Sequence, residues 1–195
     1  MRVAEAIEAG LAARIRLVVL DVDGVMTDGG IYLGATESGE PVELKRFDIQ
    51  DGLGVRLMKE AGIQVAIVTG RESHAVAIRG RELELDEVHQ DPTAAKLRIV
   101  EEMLERLGIG WGETAFLGDD LPDLPLLRRV GLPAVVGNAT SDARATAVWV
   151  ARKDGGHGAV REFAEALLTA RGQWAERVEA YVAEREAGAA RRSGQ

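Results

Sequence analysis

The stretch Asp21-Val22-Asp23-Gly24-Val25-Met26-Thr27-Asp28, directly behind the apolar run Leu17-Val18-Val19-Leu20, decides the fold. A short, wholly apolar run that stops at a turn is the pattern of a strand buried on both faces, typical of a parallel sheet. Two carboxylates one residue apart at the C-terminal end of such a strand occupy the edge where open α/β sheets bind ligands. If the strand continues, Asp21 and Asp23 face the same side, and both reach one cation or one phosphate. Burying two like charges together is unfavourable unless a metal ion or a proton compensates. The plainer alternative is a strand that ends in an Asp/Gly turn.

Outward from this strand, the pattern alternates. Residues 2–14 predict a short amphipathic helix, and 29–47 a β-hairpin rich in turn residues. Asp51 is placed to cap a helix that carries Leu53, Leu57, Met58 and Ala61 and stops at Gly62. Ile63 to Val68 predicts a second buried strand ending in Thr69-Gly70-Arg71, followed by a helix from Ser73 to Leu83 and a short strand at Glu87. Thr93 is placed to cap a long helix with Leu97, Val100, Leu104 and Leu107 on one face, ended by Gly108. Strands follow at Thr114–Leu117, Leu132–Val136 and Val148–Val150, then a helix from Gly158 that runs past Trp174 to Glu186, and a frayed tail from Ala187 to Gln195. Strands alternating with helices make βαβ units, hence an α/β, doubly wound, mostly parallel Rossmann-like sheet with a small hairpin insertion. The expected division is a domain over 1–172 and a helical extension over 173–195.

Composition narrows the function. A net charge of −8 argues against sequence-independent nucleic-acid binding and suits a divalent cation as the partner of an acidic cluster. The absence of cysteine excludes a disulfide framework and thiolate zinc sites. No apolar run reaches transmembrane length, and the first residues carry acids where a signal peptide needs an apolar core, so a cytoplasmic protein with no membrane partner is expected.

In a parallel sheet the C-terminal strand ends line one edge, so Asp21, Asp23, Thr69 and Asp119 converge although they are distant in sequence. Asp119, Asp120 and Asp123 form a second acidic cluster, with Pro122 suited to a first helical turn. That cluster is either a capped helix start or, with Asp119 beside Asp21, a set of hard oxygen donors for Mg²⁺. Thr69 is either a strand-end hydroxyl or a phosphate ligand backed by the N–H groups of Gly70 and Arg71. Lys96, in the first turn of its helix, is either solvated or held against the helix dipole by an anion. His74, His89 and His157 share no metal-ligand spacing, and Arg79, Arg81, Arg98, Arg128 and Arg129 read as helix-surface charges.

These residues resemble the haloacid dehalogenase-like phosphohydrolases, whose four motifs are matched in order by Asp21-x-Asp23, Thr69, Lys96 and Gly118-Asp119-Asp120-x-x-Asp123 over residues 15–172. The resemblance implies an aspartyl-phosphate intermediate on Asp21, with Asp23 as general acid and then base. It implies that Thr69 and Lys96 hold the phosphoryl oxygens, that Mg²⁺ is bound by Asp21, the Asp23 carbonyl and Asp119, and that Asp120 and Asp123 support the site. Within this superfamily the chain resembles the group that acts on 3-deoxy-D-manno-octulosonate 8-phosphate, through Asp23-Gly-Val-x-Thr-Asp28, Phe47-x-x-x-Asp51-Gly52, Val68-Thr-Gly-Arg71 and Gly155-Gly-x-Gly-Ala-Val-Arg161-Glu162. That group serves lipopolysaccharide biosynthesis, lacks a large cap, and forms homotetramers in which neighbouring hairpins close the site; its glycine-rich segment before Arg161 is mobile. The resemblance puts Gly70, Arg71, Gln50 and, from a neighbouring chain, Arg161 near the substrate.

Gln50 stands where many of these enzymes carry arginine, which leaves a nine-carbon sugar-acid 9-phosphate as an alternative substrate. Receiver domains also combine acids, a threonine and a lysine on a parallel sheet. Their phosphoacceptor lies on a later strand than the acidic pair, whereas Asp21 and Asp23 share one strand here. A silent assembly domain is the third reading, against which the intact motifs stand.

Overall fold

The computed structural model describes residues 6–193, with side chains as far as residue 187. Its centre is β1 (Leu17–Leu20), whose four residues are all fully buried. β4 (Gln64–Thr69) pairs with β1 on one side and β6 (Thr114–Gly118) on the other, both parallel. β5 (Glu87–Gln90) extends one edge of the sheet; β7 (Leu132–Val135) and β8 (Trp149–Val150) extend the other. The six-stranded order is β5-β4-β1-β6-β7-β8, and every pairing is parallel. The chain therefore steps outward from β1 to β5, then jumps back across β1 to β6. Ligand crevices form at such a reversal, outside the carboxyl ends of the strands.

With the right-handed crossovers that parallel strands require, this strand order assigns α2 (Ile49–Glu60) and α3 (His74–Glu82) to one face, and α4 (Lys96–Leu107), α5 (Leu124–Leu127) and α6 (Ser141–Thr146) to the other. α7 (Ala159–Ala170) packs on α2 and on α1 (Ala9–Arg14). Its Phe163 meets Trp149 edge-on at 5.4 Å, which fastens the short edge strand to the helix layer. The hairpin, β2 (Tyr32–Ala35) and β3 (Pro41–Leu44), stands apart as its own two-stranded antiparallel sheet. A single bridge between Thr27 and Phe47 ties its base to the loop after β1.

Local chemistry departs from the sequence expectation at several element ends. Asp48, not Asp51, caps α2, accepting from the Gln50 N–H at 2.8 Å. Asp51 is buried in the first turn and accepts from the Arg161 N–H of α7 at 2.8 Å. It thus supplies from another helix the cap that Gly158, the N-cap residue preceding α7, cannot provide with a side chain. Thr93 does not cap α4. Its N–H and hydroxyl donate to Asp91, and the helix begins at Lys96 behind Ala95. The predicted long C-terminal helix is two. α7 ends in a Schellman motif, with Gly172 at φ 69° donating to Thr169 O and Gln173 N–H donating to Leu168 O. α8 (Trp174–Ser193) then runs on through the tail expected to fray, whose last two residues lie outside those described. α8 is held by Arg177, which donates to Glu60 O, and by Arg56, which stacks on Tyr181 and pairs with Glu184.

α1 is shorter than the predicted 2–14, and residues 2–5 lie outside those described. Arg79 is not a surface charge: it lies over the Phe47 ring and donates to Asp48 O, bracing the turn into α2.

Candidate active site

Register brings the reactive residues together. The Asp21 N–H continues the ladder to Leu117 O, so Asp21 stands at the end of β1 between the ends of β4 and β6. Thr69 closes β4, Asp119 follows β6, and Lys96 opens α4 from below. Asp21, Asp23, Thr69, Gly70, Arg71, Lys96, Asp119, Asp120 and Asp123 line one cavity of about 250 Å³.

Lys96 is 5% exposed, and its ammonium lies 2.8 Å from both Asp21 Oδ1 and Asp123 Oδ1. Lys96 donates to Asp123, and its ion pair is the one side-chain contact to Asp21 Oδ1 among the described residues. Burial opposes the charge on Lys96, but the two carboxylates outweigh it and raise its pKa. Asp123 is the organiser of this corner. It is 1% exposed, accepts from the Asp119 N–H at 2.9 Å and fixes Lys96. Gly118 makes this possible, since a Cβ there would fall 2.5 Å from Asp123 Oδ2.

Carboxylate oxygens of Asp21, Asp119 and Asp123 lie within 4.8 Å of one another. Burial, then repulsion from Asp123, pushes Asp21 up to about 7, against the pull of Lys96. Burial, then Asp21 and Asp123, pushes Asp119 up to about 8. One ammonium among three carboxylates leaves the pocket short of positive charge. Gly24, at φ 87°, lets the loop pass so close that a Cβ would meet Asp119 Oδ2 at 2.3 Å. A hard divalent cation fits this oxygen set and this charge deficit.

Gln50 and Arg161 are not brought to the cavity within one chain. Gln50 is exposed and accepts from Lys153 at 3.3 Å, while Arg161 lies over the Trp174 ring, 4.9 Å from its centre. The glycine-rich segment does not project from the surface. A Cβ on Gly155 would lie 1.7 Å from Gly24 O, and one on Gly156 would lie 2.3 Å from Asp28 N. This segment is a backbone brace under the loop that carries Asp23.

Two residues that sequence reasoning missed reach the site from the hairpin. The Lys45 side chain is 1% exposed and pairs with Asp23 Oδ1. Glu43 lies 3.7 Å from Lys45 and 2.7 Å from Arg71, whose Nε is 3.7 Å from Asp23 Oδ2. The available signal was spacing: Glu43 and Lys45 are two apart in an extended segment and so share one face.

A parallel sheet with its acids at the topological reversal, an intrusive lysine and a strand-end threonine defines a haloacid dehalogenase-like hydrolase, and the model of that family matches residues 54–131. The chain is 42% identical to the 3-deoxy-D-manno-octulosonate 8-phosphate phosphatase of Escherichia coli K12 over 162 residues, 83% of this chain and 84% of that one. It belongs to this phosphatase family. A probable YrbI family phosphatase from Pseudomonas syringae superposes with a TM-score of 0.83 at 39% identity, covering 89% of this chain and 96% of the other. The 3-deoxy-D-manno-octulosonate 8-phosphate phosphatase of Moraxella catarrhalis, solved with magnesium, phosphate and the sugar acid, superposes with a TM-score of 0.82 at 36% identity, covering 89% and 97%.

Proposed function

We propose that this chain is a Mg²⁺-dependent phosphomonoesterase that hydrolyses 3-deoxy-D-manno-octulosonate 8-phosphate, a step of lipopolysaccharide biosynthesis, through an aspartyl-phosphate. The observation that carries this reading is the buried group Asp21, Asp119, Asp123 and Lys96 at the sheet reversal, charged for a cation and an anion together.

Asp21 is the nucleophile: its Oδ bonds to phosphorus as the ester P–O bond breaks, which divides one hard displacement into two easier ones. Asp23 protonates the departing sugar oxygen, then takes the proton of the water that cleaves the acyl phosphate. Thr69, the amides of Gly70 and Arg71, and Lys96 hold the phosphoryl oxygens. Magnesium, held by Asp21, the Asp23 carbonyl and Asp119, supplies positive charge against the charge on the phosphoryl group. Asp123 keeps Asp119 and Lys96 in place, with Asp120 beside it.

Substrate choice falls to groups beyond the phosphate site. Arg71 stands at the cavity wall; Gln50 and, from a neighbouring chain, Arg161 are the other proposed contacts, and a homotetramer assembled through the hairpins would complete the pocket. The protein acts in the cytoplasm; among the described residues no helix is long and apolar enough to cross a membrane. The nine-carbon alternative rests on Gln50, which brings no charge to the sugar-acid carboxylate.

The experiment is phosphate release from a panel of octulosonate 8-phosphate, a nine-carbon sugar-acid 9-phosphate and glucose 6-phosphate, with Mg²⁺ and with chelator. Preference for the eight-carbon acid with Mg²⁺ is expected. Preference for the nine-carbon acid reassigns the substrate, equal rates on glucose 6-phosphate remove carboxylate recognition, and full activity in chelator removes the metal.

A further inference from the structure

We propose that Lys45, reaching in from the hairpin of the same chain, is a positioning residue for Asp23 and thereby governs departure of the leaving oxygen. The inference rests on the role given to Asp23 above.

A lysine whose side chain is 1% exposed is uncommon, because its ammonium must be paired to be buried at all. Its partners here are Asp23 Oδ1 and, at 3.7 Å, Glu43 Oε1. Arg71 then joins Glu43 at 2.7 Å to Asp23 Oδ2 at 3.7 Å. The four groups form a closed ring of alternating charge drawn from three separate segments: the loop after β1, the hairpin, and the loop after β4. The ring does not depend on a free loop. The Thr27–Phe47 bridge pins the hairpin base, and extended geometry sets Glu43 and Lys45 on one face.

The ring treats the two oxygens of Asp23 differently. Lys45 engages Oδ1 from the protein side, while Oδ2 is turned toward Arg71, which lines the cavity. Oδ2, held only by the longer contact from Arg71 on the cavity side, is then the oxygen that exchanges a proton. As the Asp21–phosphorus bond forms, the electron pair of the breaking P–O bond passes to the leaving oxygen, which takes the proton from Asp23. In the second step the carboxylate takes a proton from the attacking water, phosphate departs, and Asp21 is regenerated. Without Lys45, only the longer contact from Arg71 remains on Asp23, Oδ1 loses its partner, and the Asp23 carboxylate loses its fixed orientation.

The test compares kcat/KM of the full chain with Mg²⁺ on 3-deoxy-D-manno-octulosonate 8-phosphate, whose sugar oxygen needs a proton to leave, and on p-nitrophenyl phosphate, whose leaving group does not. Lys45→Met is expected to lose about 30-fold on the sugar ester and about threefold or less on the nitrophenyl ester, within the usual range for a proton-transfer group. Asp23→Asn is expected to discriminate in the same sense. A purely structural lysine would lower both rates equally, and equal losses overturn the inference. If Lys45→Met does not fold by circular dichroism, Glu43→Gln serves instead. It loosens Lys45 and is expected to cost about threefold on the sugar ester alone, and an equal loss on both esters again overturns the inference. Absence of discrimination in Asp23→Asn overturns the role of Asp23 and this inference with it. A wild-type chain inactive on both esters overturns the phosphatase reading itself.

Discussion

Asp21 and Asp119 carry the most consequential perturbation in the molecule, and it has a definite sign. Their folded pKa values, about 7 and about 8, lie above the ordinary carboxylate value near 3.8, mainly through burial. Well below pH 3.8 both are protonated folded or unfolded, and the mismatch contributes nothing. As pH rises toward 8 the unfolded chain gives up its protons first, so the metal-free fold loses stability, by about 1.4 kcal/mol for each unit of mismatch. Magnesium competes with those protons and restores the balance. The melting temperature should therefore rise on adding Mg²⁺ by more at pH 8 than at pH 5, measured by differential scanning fluorimetry. Equal shifts at both values would show that the ion does not engage these carboxylates. Asp21→Asn removes the attacking oxygen and weakens the cation set. Phosphate release should drop by at least about a thousandfold, in keeping with the loss of a covalent nucleophile. The same variant should be more stable than wild type in chelator near neutral pH, because it removes a buried like charge.

At the scale of elements, the site depends on a brace that has no side chains. Gly155 and Gly156 lie backbone to backbone against Gly24 and Asp28, and the helix they introduce, α7, is capped across the interface by Asp51. Gly155→Ala would place a methyl 1.7 Å from a carbonyl oxygen that cannot swing aside. A loss of about 3 kcal/mol is expected from overpacking of this kind, together with reduced turnover, because the displaced partner is the loop between Asp23 and Thr27. Gly112→Ala, where nothing lies within 4 Å, should stay within about 0.5 kcal/mol; urea unfolding of the pair separates steric clash from a general loss of glycine. Elements of this kind mark where the sequence stops being readable. The strand ends were legible because a fully buried run has one pattern and parallel topology has one edge for chemistry. Caps were not: Asp48 and Asp51 are both cap-type residues three positions apart, and only the packing of α7 on α2 tells which carboxylate serves which helix. The break at Gly172 was hidden because apolar periodicity continues across it. Lys45 was hidden because its partner lies 22 positions earlier in the chain.

For the whole molecule, the remaining question is what covers the hairpin. Ile31, Tyr32, Leu33 and Leu44 on it are 53%, 47%, 76% and 63% exposed, and Ile49, at the start of α2, is 86% exposed. Isolated exposed apolar residues are ordinary, but several gathered on one projecting ribbon next to an open cavity form a surface that associates. The ribbon is also a poor structure alone, since a two-stranded hairpin in water is marginal without a packed face. Closed symmetric assembly would meet both needs at once: the hairpins of neighbouring chains would bury these residues, and a neighbour's Arg161 could then reach a cavity that its own chain does not direct it to. A homotetramer is therefore expected by multi-angle light scattering at micromolar concentration. Leu44→Asp, 63% exposed and on the strand face opposite Glu43 and Lys45, should shift it toward smaller species. Turnover of the sugar-acid phosphate should fall in parallel, about tenfold or more, because exclusion of water from the site depends on its covering wall. Hydrolysis of p-nitrophenyl phosphate, which draws only on groups within one chain, should fall far less. A wild-type chain that is monomeric and fully active on the sugar-acid phosphate would show that the cavity is complete without its neighbours.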